Sequence, residues 1–246
     1  MATVAIEEAT FQYEQQTLEN DCLKVDIFDP AKYGARFLEL VQKYPETFTY
    51  VAFPVLHSVD ELLTEVYNPI ASSPADCLWA IIDKTRPAGA NHDNLAGAFA
   101  LTDVKKAEGT AEMGGILFPP FHRSHVASNT VGLILQYLLD PPSQGGLGLR
   151  RVAWHANANN KPSRGLAERM GFTLEGILRW QRTFAPTRDC QAGPGVALSA
   201  AALAARNGTK PEDEAPGRHT AVYSIVWDEW EEKRPHVVAQ MGLRKK

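Results

Sequence analysis

The succession of strand and helix signals between Glu112 and Arg179 constrains this chain more than any other feature. Ala111 to Phe118 reads as a strand, and Pro119 and Pro120 stop it, because proline has no N–H to give a sheet ladder. A helix follows from about Ser124. Val131, Ile134, Leu135 and Leu138 fall on one face of a 3.6-residue period, and Pro141 and Pro142 end it. Arg151 to Ala156 alternates, with Val152, Trp154 and Ala156 on one side and Arg151, Ala153 and His155 on the other, as a strand does. Asn159, Asn160, Lys161 and Pro162 suit a helix start. Leu166 and Met170 supply its apolar stripe, and Gly171 closes it in the left-handed conformation. Phe172 to Phe184 then reads as another strand.

Upstream, Leu23, Val25 and Ile27 alternate as a first strand. Asp29-Pro30 opens a helix carrying Tyr33, Phe37, Leu40, Val41 and Tyr44, and Pro45 stops it. A second helix fits Ser58 to Tyr67, with Ser58 as cap and Glu61 completing a capping box; residues 68–76 read as a loop. Cys77 to Asp83 and Leu95 to Leu101 flank a turn-rich segment and read as an antiparallel pair. Residues 1–20 form a polar N-terminal arm. Residues 185–218 are rich in Ala, Gly and Pro and read as an insertion between the last two strands. Within them Val196 to Arg206 fits an Ala-rich helix, and the rest reads as a mobile loop covering the acceptor side. Thr220 to Trp227 resumes as a strand, so 219–246 is expected to hold the last strand and a C-terminal tail. The main domain is then 21–184, an α/β fold with a mixed central sheet flanked by helices.

With 246 residues, 44% of them hydrophobic and 22% charged, the chain suits one large domain with a real core. A net charge of −4, with no basic block beyond Arg244 to Lys246, does not suggest nucleic-acid binding. The N-terminus has no basic stretch ahead of an apolar one, so no secretory signal is expected, and no apolar run approaches the ~18–20 residues that span a membrane. Cys22, Cys77 and Cys190 lie far apart without metal-ligand spacing, which suits three reduced thiols in a cytoplasmic protein. No metal is implied.

The motif RRVxWxxxxxNxxSRxxAERxGFxxEGxLR, carried by Arg150, Arg151, Val152, Trp154, Asn160, Ser163, Arg164, Ala167, Glu168, Arg169, Gly171, Phe172, Glu175, Gly176 and Arg179, resembles the GNAT acyltransferase family in its RimJ/RimL-like branch. The closing Tyr223 to Trp230 is similar to that branch's last strand. The likeness covers roughly residues 20–184 and 219–231.

The resemblance implies that acetyl-CoA lies in a wedge between two splayed parallel strands, Ala111 to Phe118 and Arg151 to Ala156. Unpaired backbone near Gly115, Ile116 and Leu117 would meet the pantetheine arm as an added strand does. The pyrophosphate would lie at the start of the next helix, where free N–H groups favour an anion. The family pattern there, Gln/Arg-x-x-Gly-x-Gly/Ala, reads here as Arg123, Ser124, His125, Val126, Ala127 and Ser128. Val126 replaces the middle glycine, and His122, Arg123 and His125 offer compensating positive charge. Asn160 is implied to contact pantetheine and Ser163 to lie near the thioester sulfur, while a cap and a first-turn residue describe them equally well.

Transfer to an amine needs a proton acceptor. Glu112 matches the Glu found on this strand in the branch; holding a loop or a substrate ammonium is its plainer reading. An oxyanion would be held by an N–H near Gly115 or Ile116. Many members carry a proton-donating Tyr where this chain has Ala167, which leaves Ser163 as donor. Tyr44, Phe48, Tyr50 and Phe53, with Glu46, Asp60, Glu61 and Glu65, make an aromatic and acidic wall suited to a cationic amine, or else core aromatics under a solvated helix face. The expected activity is acetyl-CoA-dependent N-acetylation of a small-molecule amine or an N-terminal amino group, without a covalent intermediate, by a monomer or homodimer. The alternative is an inactive acyl-CoA-binding or protein-interaction module of the same fold. A Ser/His hydrolase is disfavoured, because no Gly-x-Ser-x-Gly elbow occurs.

Overall fold

The computed structural model describes residues 11–51, 56–89, 91–184, 196, 199–206 and 216–242. Strands β1 (Leu18–Glu19) and β2 (Leu23–Ile27) precede α1 (Pro30–Lys43). Asp29 caps α1 by accepting from the Ala31 N–H at 2.9 Å. After a short 3-10 turn, Pro45–Phe48, come α2 (Val59–Leu62), a π-turn (Leu63–Tyr67) and α3 (Asn68–Ala71). Ser58 caps α2 as expected. The expected loop at 68–76 is helical as far as Ala71. The wide π-turn just before Pro69 lets a helix continue past a residue that has no N–H and crowds the preceding turn.

Strands β3 (Cys77–Asp83), β4 (Leu95–Lys105) and β5 (Thr110–Leu117) form a meander; α4 (Val126–Leu139), β6 (Arg151–Asn157), α5 (Lys161–Arg169) and β7 (Thr173–Thr183) follow. Then come α6 (Ala200–Ala205), β8 (Gly217–Val226) and α7 (Trp227–Ala239). The eight-stranded sheet has the order β1-β2-β3-β4-β5-β6-β8-β7. Every pairing is antiparallel except β5 with β6. The mixed α/β fold expected from the sequence is therefore present.

Three further expectations change. Residues 11–19 are not a free arm: Gln15 donates to the Leu78 carbonyl, Trp79 to the Gln16 carbonyl and Tyr137 to the Glu14 carbonyl. The C-terminal tail is a helix from Trp227. Its first turn is closed by the Val226 N–H donating to Glu229 at 3.1 Å, and Trp230 and Arg234 both donate to Asp140 at 2.7 Å. The Ala-rich helix is shorter than expected, Ala200–Ala205, and is capped by Ser199. Most of 185–218, like Cys190 and Phe53, lies outside the described residues. Cys22 and Cys77 are free and buried, and among the described residues no helix is long and apolar enough to cross a membrane.

The motif residues largely hold this frame. Arg151 makes a two-pronged ion pair with Glu175, which also accepts from Ser224. Tyr223 of β8 accepts from Arg164 at 2.9 Å and donates to Glu168 at 2.8 Å, tying α5 to the sheet.

Candidate active site

Alternate residues of a strand share a face. Thr102 stands opposite Glu112, and Glu112 opposite Ala153, so Thr102, Glu112, Gly114, Ile116, His155 and Asn157 look out from one side of β4, β5 and β6. That face is the floor of a cavity of about 330 Å³. Its roof is Phe28, just after β2, with Phe37, Phe48, Tyr50, Leu62, Val66 and Ile70 from α1 and the stretch that follows it.

The parallel pairing of β5 with β6 runs from Thr110↔Arg151 to Met113↔Trp154 and stops there. Beyond that point β5 stays paired with β4 as far as Leu117, and β6 with β8 as far as Asn157. The two strands part, and of the β5 backbone beyond Met113 the groups of Gly115 and Leu117 face the gap, while those of Gly114 and Ile116 are turned to β4. Two glycines shape it. A Cβ on Gly114 would meet nothing within 4 Å, whereas one on Gly115 would run into the Phe99 ring and the Ala98 carbonyl.

Glu112, Gly115, Ile116, Asn160 and Ser163 all line this one cavity. Glu112 Oε2 stands 2.7 Å from His155 Nδ1. Sequence reasoning did not single out His155; only the β5–β6 register brings it to Glu112. Asn160 caps α5, its Oδ1 accepting from the Ser163 N–H at 3.1 Å. Ser163 Oγ accepts from the Trp154 indole N–H at 3.1 Å, which leaves the hydroxyl proton free to be donated. Asn157 is 2% exposed, and its Oδ1 accepts from the Asn159 N–H. Its Nδ2 has no partner among the described residues. Ala167, where the resemblance implied a tyrosine in many members, is fully buried and does not line the cavity.

The loop before α4 stands apart from the cavity. Arg123 is exposed, with φ at 54°. Ser124 Oγ donates to the Phe121 carbonyl at 2.6 Å and accepts from the Val126 N–H. His125 is turned inward and buried, its Nε2 3.2 Å from the buried Asp83 but without a hydrogen-bond partner among the described residues. His122 lies against the Leu117 carbonyl at 2.6 Å. Val126 is the first residue of α4 and fully buried, as is Ser128, and Ala127 is half-buried. Val126 thus turns its side chain into the core, and its position does not require glycine. As at any helix start, the first-turn N–H groups lack carbonyl partners four residues back.

The acidic wall does not form at the cavity. Glu46, Asp60 and Glu65 are exposed, Glu61 accepts from the His57 N–H, and none of the four lines it. Phe48 and Tyr50 do line it, while Tyr44 packs on Phe118. Besides His155, the basic residues there are Arg182 and Arg218, which no sequence signal marked. Burial, then the nearby Arg182 charge, lower the Arg218 pKa, and the Glu112 charge opposes them. Among the described residues no group of His, Cys, Asp and Glu could hold a metal ion.

Residues 32–173 match the sequence model of the acetyltransferase (GNAT) domain. No curated protein matches the chain. Among solved structures, a GCN5-related N-acetyltransferase from Brucella melitensis is 24% identical, with a TM-score of 0.68 over 93% of this chain and 86% of that one. Spermidine N-acetyltransferase from Vibrio cholerae, in complex with CoA and spermine, is 17% identical, with a TM-score of 0.59 over 86% of this chain and 99% of that one. RimL, a ribosomal L7/L12 alpha-N-protein acetyltransferase in complex with coenzyme A, is 15% identical, with a TM-score of 0.62 over 87% and 99%. At these identities the likeness is one of fold.

Proposed function

The chain belongs to the GNAT acetyltransferase family, and we propose that it is a RimJ/RimL-like member moving an acetyl group from acetyl-CoA to a primary amine. The observation that carries this reading is the parting of β5 and β6 beside a cavity whose floor holds Glu112 and His155 together.

Acetyl-CoA supplies an acetyl group activated as a thioester. Backbone groups at Gly115 and the Leu117 N–H would pair with the pantetheine amides, as an added strand would. The start of α4 and Arg123 suit the pyrophosphate. An ammonium has no lone pair, so Glu112 takes its proton while His155 fixes the carboxylate's orientation. Of the two expected donors, Gly115 and Ile116, the Gly115 N–H faces the gap and would hold the developing oxyanion. Ser163 donates its proton to the departing thiolate. Attack is direct, and the acceptor is a small-molecule amine or a protein N-terminus.

Calorimetric titration with acetyl-CoA tests the first half. Binding should weaken in Asn160→Ala and Ser163→Ala; no binding to the wild type would end the enzymatic reading and leave an interaction module. Glu112→Gln tests the second half. With an amine that the wild type acetylates, free-thiol release should fall by about 10²–10⁴-fold. Unchanged turnover would remove Glu112 as the base.

A further inference from the structure

The cavity has more hydrogen-bond donors than transfer to a simple amine requires. Arg182 of β7 and Arg218 of β8 are direct partners across the antiparallel pair, and both line the cavity. Like charges set directly opposite each other destabilise a sheet. A bulge brings them together: Leu178 pairs with Thr220 and Arg182 with Arg218, so Arg179, Trp180 and Gln181 stand against His219 alone. Trp180 takes φ 55° there, and its N–H donates to His219 Nδ1 at 3.0 Å. Bulges of this kind re-aim side chains.

Among the described residues no carboxylate pairs with either arginine. Arg218 Nε is buried without a partner among the described residues, and so is Asn157 Nδ2. Asn157 stands opposite Thr220, two residues from Arg218 on the same face of β8. Among the described residues the only carboxylate lining the cavity is Glu112, whose Oε2 lies 2.7 Å from His155 Nδ1. Two guanidiniums and an amide N–H without acceptors make a site for an oxyanion, which a planar guanidinium meets with paired N–H donors.

We propose that the acceptor is an amine that also carries an anionic group, a carboxylate or a phosphate, and that Arg218 and Arg182 hold that group while the amine faces Glu112. The inference rests on the acetyl-transfer reading above. It runs against a polyamine acceptor, whose further cations would meet two arginines.

The test uses the full chain, acetyl-CoA and acceptors in matched pairs. Amino acids, 4-aminobutyrate and dipeptides are compared with their carboxamides, and phosphoethanolamine with ethanolamine, by thiol release. The anionic member should be preferred by about tenfold or more in kcat/KM for at least one pair, because a site built for a polar group rejects the analogue lacking it. Arg218→Gln should bring the two members within about twofold of each other. Arg182→Gln, on an exposed side chain and safer for folding, should reduce the preference in the same direction. Equal rates for every pair, a preference for the neutral members, or turnover of none while acetyl-CoA binds would each overturn the proposal. Failure of acetyl-CoA to bind would instead overturn the acetyl-transfer reading and this proposal with it.

Discussion

Gly114 and Gly115 are neighbours with opposite reasons to be glycine. At Gly114 a side chain has open space, and that space is the cavity. Gly114→Val should fold with a melting temperature close to the wild type and lose acetyl-CoA affinity at least tenfold by titration. At Gly115 there is no room, so Gly115→Ala should cost about 1–3 kcal/mol of stability, read by denaturant unfolding, because overpacking displaces the Phe99 ring and the Ala98 carbonyl. If the valine variant binds acetyl-CoA normally, the gap beside Gly114 is not where the cosubstrate lies. At this scale the sequence was partly legible. Glu112, Asn160 and Ser163 stood out by their places in a motif. His155 did not, since alternation gives it the same standing as Arg151 and Ala153, and its role comes from strand register. Arg182 stands just before the segment read as an insertion and Arg218 is that segment's last residue, and the two meet only through pairing.

Two elements are fastened by single carboxylates. Asp26 of β2 accepts from Lys24, Lys32, Tyr33 and Thr17. Burial alone would raise its pKa, but the hydrogen bonds, led by Tyr33, outweigh burial and hold it well below the usual carboxylate range. A depressed folded-state value contributes stability above the unfolded value near ~3.9 and loses it as pH falls further. The gap in melting temperature between the wild type and Asp26→Asn should therefore be full above about pH 5 and narrow steadily below about pH 4. A gap independent of pH would mean that packing, not charge, makes the difference. Asp140 fastens α7 through Trp230 and Arg234, with its side chain 6% exposed and that of Arg234 35%. Asp140→Ala should destabilise by about 2–4 kcal/mol, because it strands a guanidinium and an indole N–H. The strands and the helices α1, α4 and α5 were legible because period and punctuation agree. Helix α7 was not. Trp227 prolongs an apolar run, the residue before it is Val226 rather than a capping type, and Pro235 falls inside the helix. The π-turn before Pro69 left no signal either.

For the whole molecule, a ligand that binds only the folded state stabilises it by mass action. Acetyl-CoA at about 100 times its Kd should add about 2.7 kcal/mol, a rise of roughly 5–10 °C in melting temperature for a chain of this size. No rise at that excess would contradict cosubstrate binding. The architecture was readable from the succession of breaks between residues 112 and 179, whereas the acceptor chemistry was not. Acids of the α1–α3 region that are close in sequence turned outward, and arginines distant in sequence turned in.

An eight-stranded sheet ordinarily guards its middle best, since the outer strands shield the inner ones. In this chain β5 and β6 are inner neighbours in the order, joined through four paired positions. Amides there should exchange with solvent deuterium sooner than those of β3 and β4, although neither strand is at an edge of the sheet. Once the pantetheine arm fills the gap the pattern should invert, and the most permeable seam of the free protein becomes its slowest-exchanging core.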